Sequence, residues 1–152
     1  MQFEKARFWT IRDIEKIINT NSTEYKTLEF KSLEALVPGS KDEIGKDVSS
    51  FANSAGGVII YGVSEIKTGP DIVLKLDEGR DANDPYGKEW LENIIESNIS
   101  PKINDLLINP IKLPQRKIHL CRSYPAKYNG SYVGVQPLLQ AQKLQIRAYG
   151  GL

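Results

Sequence analysis

The sequence predicts an α+β fold in which a mixed β-sheet is flanked by about three helices. Three observations predict it: an amphipathic helical pattern in residues 40–55, a β-branched run directly after it, and further helical and alternating segments on both sides. Helices and strands mixed in this order are typical of an α+β domain. At 152 residues, the chain is long enough to form one ordinary domain with its own core.

The first predicted elements are a helix over residues 10–20 and a strand over residues 28–31. Four isoleucines share one face of the helix: Ile11, Ile14, Ile17 and Ile18. In the strand, the apolar Leu28 and Phe30 alternate with two charged residues. Because successive side chains of a strand point to opposite faces, this strand is predicted to bury one face.

The central helix is predicted to begin at Ser40, since Ser40 and Glu43 have the spacing of a capping box. Its apolar stripe follows at i, i+4, i+7 and i+8 and consists of Ile44, Val48, Phe51 and Ala52. A buried strand over residues 58–61 comes next, rich in β-branched side chains.

Three residues between this helix and strand predict a structural turn: Asn53, Gly56 and Gly57. Glycine readily adopts the left-handed conformation that ends a helix. Phosphate binding by the glycine pair is the alternative interpretation. Phosphates are favoured at the N-terminus of a helix, however, and this pair follows a C-terminus.

The remaining elements are a strand over residues 72–76, a loop, and a helix that ends near residue 99. Two further strands are predicted at residues 107–113 and 117–121. Forty per cent of the residues are hydrophobic and 26% are charged, which is typical of a soluble globular protein. No apolar run approaches the roughly 18 residues that a membrane span needs, so no membrane partner is expected.

The cysteine content and the N-terminal residues both favour a cytoplasmic location. The single cysteine, Cys121, excludes an internal disulfide bond. The N-terminal residues also lack the pattern of a secretory signal.

The charges are segregated along the chain. Of 20 Lys and Arg and 19 Asp and Glu residues, six basic and no acidic residues lie in 116–152, which leaves a net charge of −5 on residues 1–115. We therefore predict a domain over residues 1–115 and an atypical basic tail over residues 116–152 that completes or replaces its last strands. A basic arm on an acidic body could contact nucleic acid, but the charge count alone does not decide this.

Three ordered motifs resemble the Schlafen AlbA-2 domain family, which is described as DNA-binding. They are the LEFK strand at Leu28–Lys31, the FAN-x-x-GG helix end at Phe51–Gly57, and the GV strand end with an acidic residue at Gly62–Glu65. The resemblance extends over residues 11–113 and implies the fold of that family. It also implies a nucleic-acid-binding module with a regulatory or defensive role.

The resemblance implies a second function, because some Schlafen proteins resemble metal-dependent ribonucleases. Glu24, Glu29 and Glu65 correspond to the three acidic residues of that site, although the third is usually Asp. Three convergent carboxylates would bind Mg²⁺ or Mn²⁺ and act on structured RNA such as tRNA. The alternative is that these three are ordinary acidic residues on the surface. A metal cofactor, Mg²⁺ or Mn²⁺, is therefore expected only if the chain is a nuclease.

Four lysines could form a basic face for a phosphate backbone: Lys31, Lys41, Lys46 and Lys67. A solvated surface of mixed charge is the alternative interpretation. A third function, that of a protein-interaction module or homodimer, is also compatible with the sequence.

The C-terminal tail departs from the family, which continues with a strand ending in Val-Pro and a Tyr-Tyr-Arg segment. Codons permitted for residues 117–147, when read one nucleotide later, can spell a similar strand end and a Tyr-Tyr-Arg segment. The tail is therefore either a divergent arm or the product of a shifted reading frame, and sequencing the gene distinguishes them.

Overall fold

The computed structural model describes residues 8–20, 28–53, 56–103, 106–114, 118–124 and 133–134, and it confirms the predicted α+β class. The helices are α1 (Ile11–Asn19), α2 (Lys41–Ala52) and α3 (Lys88–Asn98). The strands are β1 (Leu28–Lys31), β2 (Gly57–Tyr61), β3 (Val63–Thr68), β4 (Asp71–Leu76), β5 (Ile99–Ser100), β6 (Leu107–Lys112), β7 (Ile118–Tyr124) and β8 (Val133–Gly134). None of the described helices has the length and apolar character needed to cross a membrane.

The main sheet has four strands in the order β1-β2-β7-β6. β1 and β2 are parallel, with Leu28 opposite Val58, whereas β7 is antiparallel to both of its neighbours. The sheet is therefore mixed, as the sequence predicts. β7 lies within residues 116–152 and pairs with β2 on one side and with β6 on the other.

The two faces of the main sheet carry separate cores, and β2 contributes alternate side chains to each. Ile59 and Tyr61 pack with α2 and α3, whereas Val58 and Ile60 pack with α1. All five residues of β2 are buried, which explains its uninterrupted apolar sequence.

Helix α2 buries most of the predicted apolar stripe. Ile44, Val48 and Ala52 are buried, whereas Phe51 is only partly buried at the edge of the core. The predicted cap at Ser40 does not form a side-chain hydrogen bond. Ser40 ends a 3-10 turn, Pro38–Ser40, and its φ of −100° and ψ of 11° are not the extended geometry of an N-cap.

The strands β3 and β4 form a separate two-stranded hairpin, and β3 was not predicted as a strand. Gly62, with φ of 124°, stands between β2 and β3. Tyr61 on one side of it belongs to the core with α2, and Val63 on the other side belongs to the core with α1. The extra residue therefore shifts the side-chain alternation by one position between β2 and β3.

Candidate nucleic-acid interface

Lys31 lies at the end of β1, on the face of the sheet that α2 covers. Its Nζ atom is 3.2 Å from Oε1 of Glu29 and 3.6 Å from Oδ2 of Asp47, which belongs to α2. Partial burial alone would lower the pKa of the Lys31 ammonium. The hydrogen bond to Glu29 and the charges of Asp47 and Glu29 outweigh this effect and raise the pKa. Lys31 is therefore a charged group whose charge is already compensated.

The other predicted lysines lie on two different elements. Lys41 and Lys46 are exposed on α2, and neither forms an ion pair with another described residue. Lys67 is exposed near the turn of the β3–β4 hairpin. The four lysines thus divide into a set on and beside α2 and a single lysine on the hairpin.

The exposed side of α2 also carries polar groups at helical spacing. Lys46, Ser50 and Asn53 follow at i, i+4 and i+7 and are all exposed. Residues at this spacing lie along one side of a helix. Such side chains donate hydrogen bonds to phosphate and sugar oxygens in nucleic-acid complexes. Two acidic residues, Asp42 and Glu43, lie in the first turn of the same helix and reduce its net charge.

Glu29 and Glu65, two of the three predicted metal ligands, lie on different faces. Glu29 is on the α2 side of the main sheet, since Leu28 and Phe30 face the core with α1. Glu65 pairs with Leu74, which packs with α1, so the register places Glu65 on the α1 side of the hairpin.

The described residues therefore give a shared cation site no support. No group of three His, Cys, Asp or Glu side chains among them could hold a metal ion. Glu24, the third predicted ligand, lies outside the described residues, so the complete set of three carboxylates stays a prediction.

The three residues that were predicted to form the turn after α2 have different structural roles. Asn53 is the C-cap, and its N–H donates to the carbonyl of Ser49 at 2.9 Å. Gly56 has the left-handed conformation, with φ of 78°, and its N–H donates to the carbonyl of Phe51 at 3.0 Å. Gly57 begins β2 and is not among the glycines with positive φ. Of the glycine pair, position 56 is therefore the one that requires glycine.

A network after β4, which the sequence suggested only as a loop, positions the segment that follows β1. The carboxylate of Asp77 accepts hydrogen bonds from the Leu33 N–H, at 2.8 Å, and from the Ser64 hydroxyl. The Arg80 guanidinium donates to the carbonyls of Leu33 and Leu36, the latter at 2.8 Å. These contacts hold the 3-10 turn Leu33–Ala35 against the hairpin.

No local pattern predicts the contacts that this network makes with the turn after β1, because they join residues more than 40 positions apart along the chain. The separation from Leu33 to Asp77 is 44 residues and that from Leu33 to Arg80 is 47. The only signal in the sequence is an Asp and an Arg three residues apart directly after a strand.

The fold defines the class of the protein as an α+β domain with a mixed sheet between two helical layers, and α2 presents an exposed polar side. The chain belongs to the Schlafen AlbA_2 family, whose family model matches residues 24–145.

A solved structure of similar fold is the N-terminal domain of a protein from Nitrosomonas europaea that is named as related to the ATP-dependent DNA helicase RecG. The identity is 17% and the TM-score is 0.55, over 80% of this chain and 83% of that one. A comparison with curated proteins finds no match.

Proposed function

We propose that this chain is a nucleic-acid-binding module that contacts the phosphate backbone through the exposed side of α2. Membership of the Schlafen AlbA_2 family is the observation that carries the proposal. The similar fold belongs to a protein whose name relates it to a DNA helicase, which is consistent with a role on nucleic acid. A regulatory or defensive role for the module, which the family resemblance implies, is part of this proposal.

The exposed lysines of α2 are the groups best suited to this contact. Lys41 and Lys46 have no ion-pair partner among the described residues, so binding a phosphate would break no existing pair. Lys31 is held by Glu29 and Asp47 and would contribute less. Since Asp42 and Glu43 lie on the same helix, we expect modest affinity with a strong dependence on salt.

The test is fluorescence anisotropy with labelled single-stranded DNA, duplex DNA, single-stranded RNA and a structured RNA hairpin, at several salt concentrations. Replacing Lys41 and Lys46 by Ala should weaken binding and reduce the slope of log K against log salt by about 1.8 for duplex DNA, at about 0.9 for each lost phosphate contact. The matched control is Arg12→Ala with Lys16→Ala, which removes two exposed basic residues from α1 on the other face of the sheet.

Three outcomes distinguish the parts of the proposal. Absence of binding to every probe at low salt would overturn the function. Equal losses in the α2 variant and in the α1 control would overturn the assignment of the surface. Each binding reaction is repeated with Mn²⁺ and with EDTA, and RNA cleavage that requires Mn²⁺ would favour the three-carboxylate nuclease instead.

A further inference from the structure

The β3–β4 hairpin exposes an apolar pair on its outer face. Ile66 and Val73 are directly opposite each other in the register, and they are 42% and 47% exposed. They lie on the face away from α1, because Leu74, the neighbour of Val73, points to the core with α1. A two-stranded sheet is marginally stable by itself and gains stability from additional strands.

The outer edge of β3 offers backbone groups for such an added strand. The Asp77 N–H donates to the carbonyl of Gly62 at 2.8 Å, and this bond shows which residues of β3 form hydrogen bonds with β4. By the alternation of an antiparallel pair, Ser64 and Ile66 bond to β4, whereas the N–H and C=O groups of Glu65 and Lys67 point outward. Residues 65–68 are all exposed.

We propose that two copies of the chain associate by antiparallel pairing of β3 with β3 about a two-fold axis at Ile66. In this register, Glu65 of each copy lies opposite Lys67 of the other, so two attractive charge pairs form. The outward-pointing backbone groups of these residues then face each other and bond across the axis. Ile66 meets its copy, and the two Val73 side chains extend the apolar row across four strands.

Charge selects this register among the neighbouring ones. The outward-pointing backbone groups of β3 in one copy must face those in the other copy. An alternative two-fold axis therefore passes through residue 65 or residue 67. An axis at Glu65 places the two glutamates opposite each other, and an axis at Lys67 places the two lysines opposite each other. Like charges in that position destabilise a strand pair.

The edge of β4 is less suited to the contact than the edge of β3. Leu74, whose backbone groups point outward from β4, is buried, and α1 packs against this strand. Glu65 and Lys67 are exposed at the corresponding positions of β3. The interface is therefore assigned to β3.

The test is the association state of the full chain, measured by sedimentation velocity over a wide range of protein concentration. The wild-type chain should form a dimer. Glu65→Lys and Lys67→Glu should each weaken it by about tenfold or more, since each converts both charge pairs into repulsive pairs. A mixture of the two variants should form a heterodimer, because every Lys then faces a Glu, and the double exchange in one chain should restore the homodimer.

Lys75→Glu and Asp71→Lys are the matched controls, because they make the same charge changes on β4 and should leave the dimer intact. Hydrogen exchange should show concentration-dependent protection of the amides of residues 65 and 67. A wild-type monomer at all concentrations, a dimer insensitive to the single exchanges, or a mixture without heterodimer would overturn the proposal. Circular dichroism checks that each variant is folded.

Discussion

Arg80 connects the loop after β4 to the turn after β1, and replacing it by Ala should destabilise the fold strongly. Its guanidinium donates to the carbonyls of Leu33 and Leu36, and its side chain is only 18% exposed. These two leucines are themselves buried, with exposed fractions of 6% and 0%. The substitution would therefore release the turn that carries two core side chains.

The contacts of Arg80 set the size of the effect. Hydrogen bonds to a charged group contribute about 1.5–3 kcal/mol each. Because the site is partly exposed, water can compensate in part for the loss of the two bonds. We expect Arg80→Ala to lower the free energy of unfolding by about 2–4 kcal/mol. Arg80→Lys should recover less than half of this loss, because one ammonium cannot match the fork of a guanidinium.

Urea unfolding followed by tryptophan fluorescence measures both variants, and hydrogen exchange at the Leu36 amide, which bonds to the Leu33 carbonyl, reports the turn itself. The control is Lys88→Ala, which removes a 3.8 Å pair with Glu92 between side chains that are nearly half exposed, and should change stability by less than about 0.5 kcal/mol. An Arg80→Ala variant as stable as this control would refute the reasoning.

Three further substitutions test the turn, the core and the charged site. Gly56→Ala should destabilise by about 1–2 kcal/mol because its φ of 78° is left-handed, whereas Gly39→Ala, with nothing within 4 Å of the added Cβ, should be neutral or slightly stabilising; equal urea midpoints would contradict this. Phe51→Ala should cost about 1–3 kcal/mol, below the 3–5 kcal/mol of a fully buried Phe, since Phe51 is partly buried; a loss above that range in urea unfolding would place it in the core. The pKa of Lys31 is raised in the folded state, because its bond to Glu29 and the nearby acidic charges outweigh the burial that lowers it. The resulting stabilisation should be complete below pH of about 10.4 and decline as pH rises through the folded pKa, so the stability difference between wild type and Lys31→Met should shrink in alkaline urea titrations; a difference that stays constant through the alkaline range would contradict this.

Local patterns in the sequence determined the central helix, the buried strand after it and the family. Ile44 and Val48 recur at helical spacing, and residues 58–61 form a β-branched run, because these periodicities follow from the geometry of a single element. The family motifs lie on the same elements, so the fold class could be predicted with them. The partial exposure of Phe51 could not be predicted from the sequence, since it depends on how far the core extends beyond the helix.

Only the tertiary structure decided which charged groups lie together. The resemblance to the family implies that Glu29 and Glu65 converge, yet Gly62 adds one residue between β2 and β3 and shifts the alternation of side chains. Because the side-chain period of a strand is two, a shift of one residue moves every following side chain to the other face. The sequence by itself therefore determined the elements and the family. The faces on which their charges lie depend on how β1 pairs with β2 and how β3 pairs with β4, and the second of these pairings also decided the outward edge of β3.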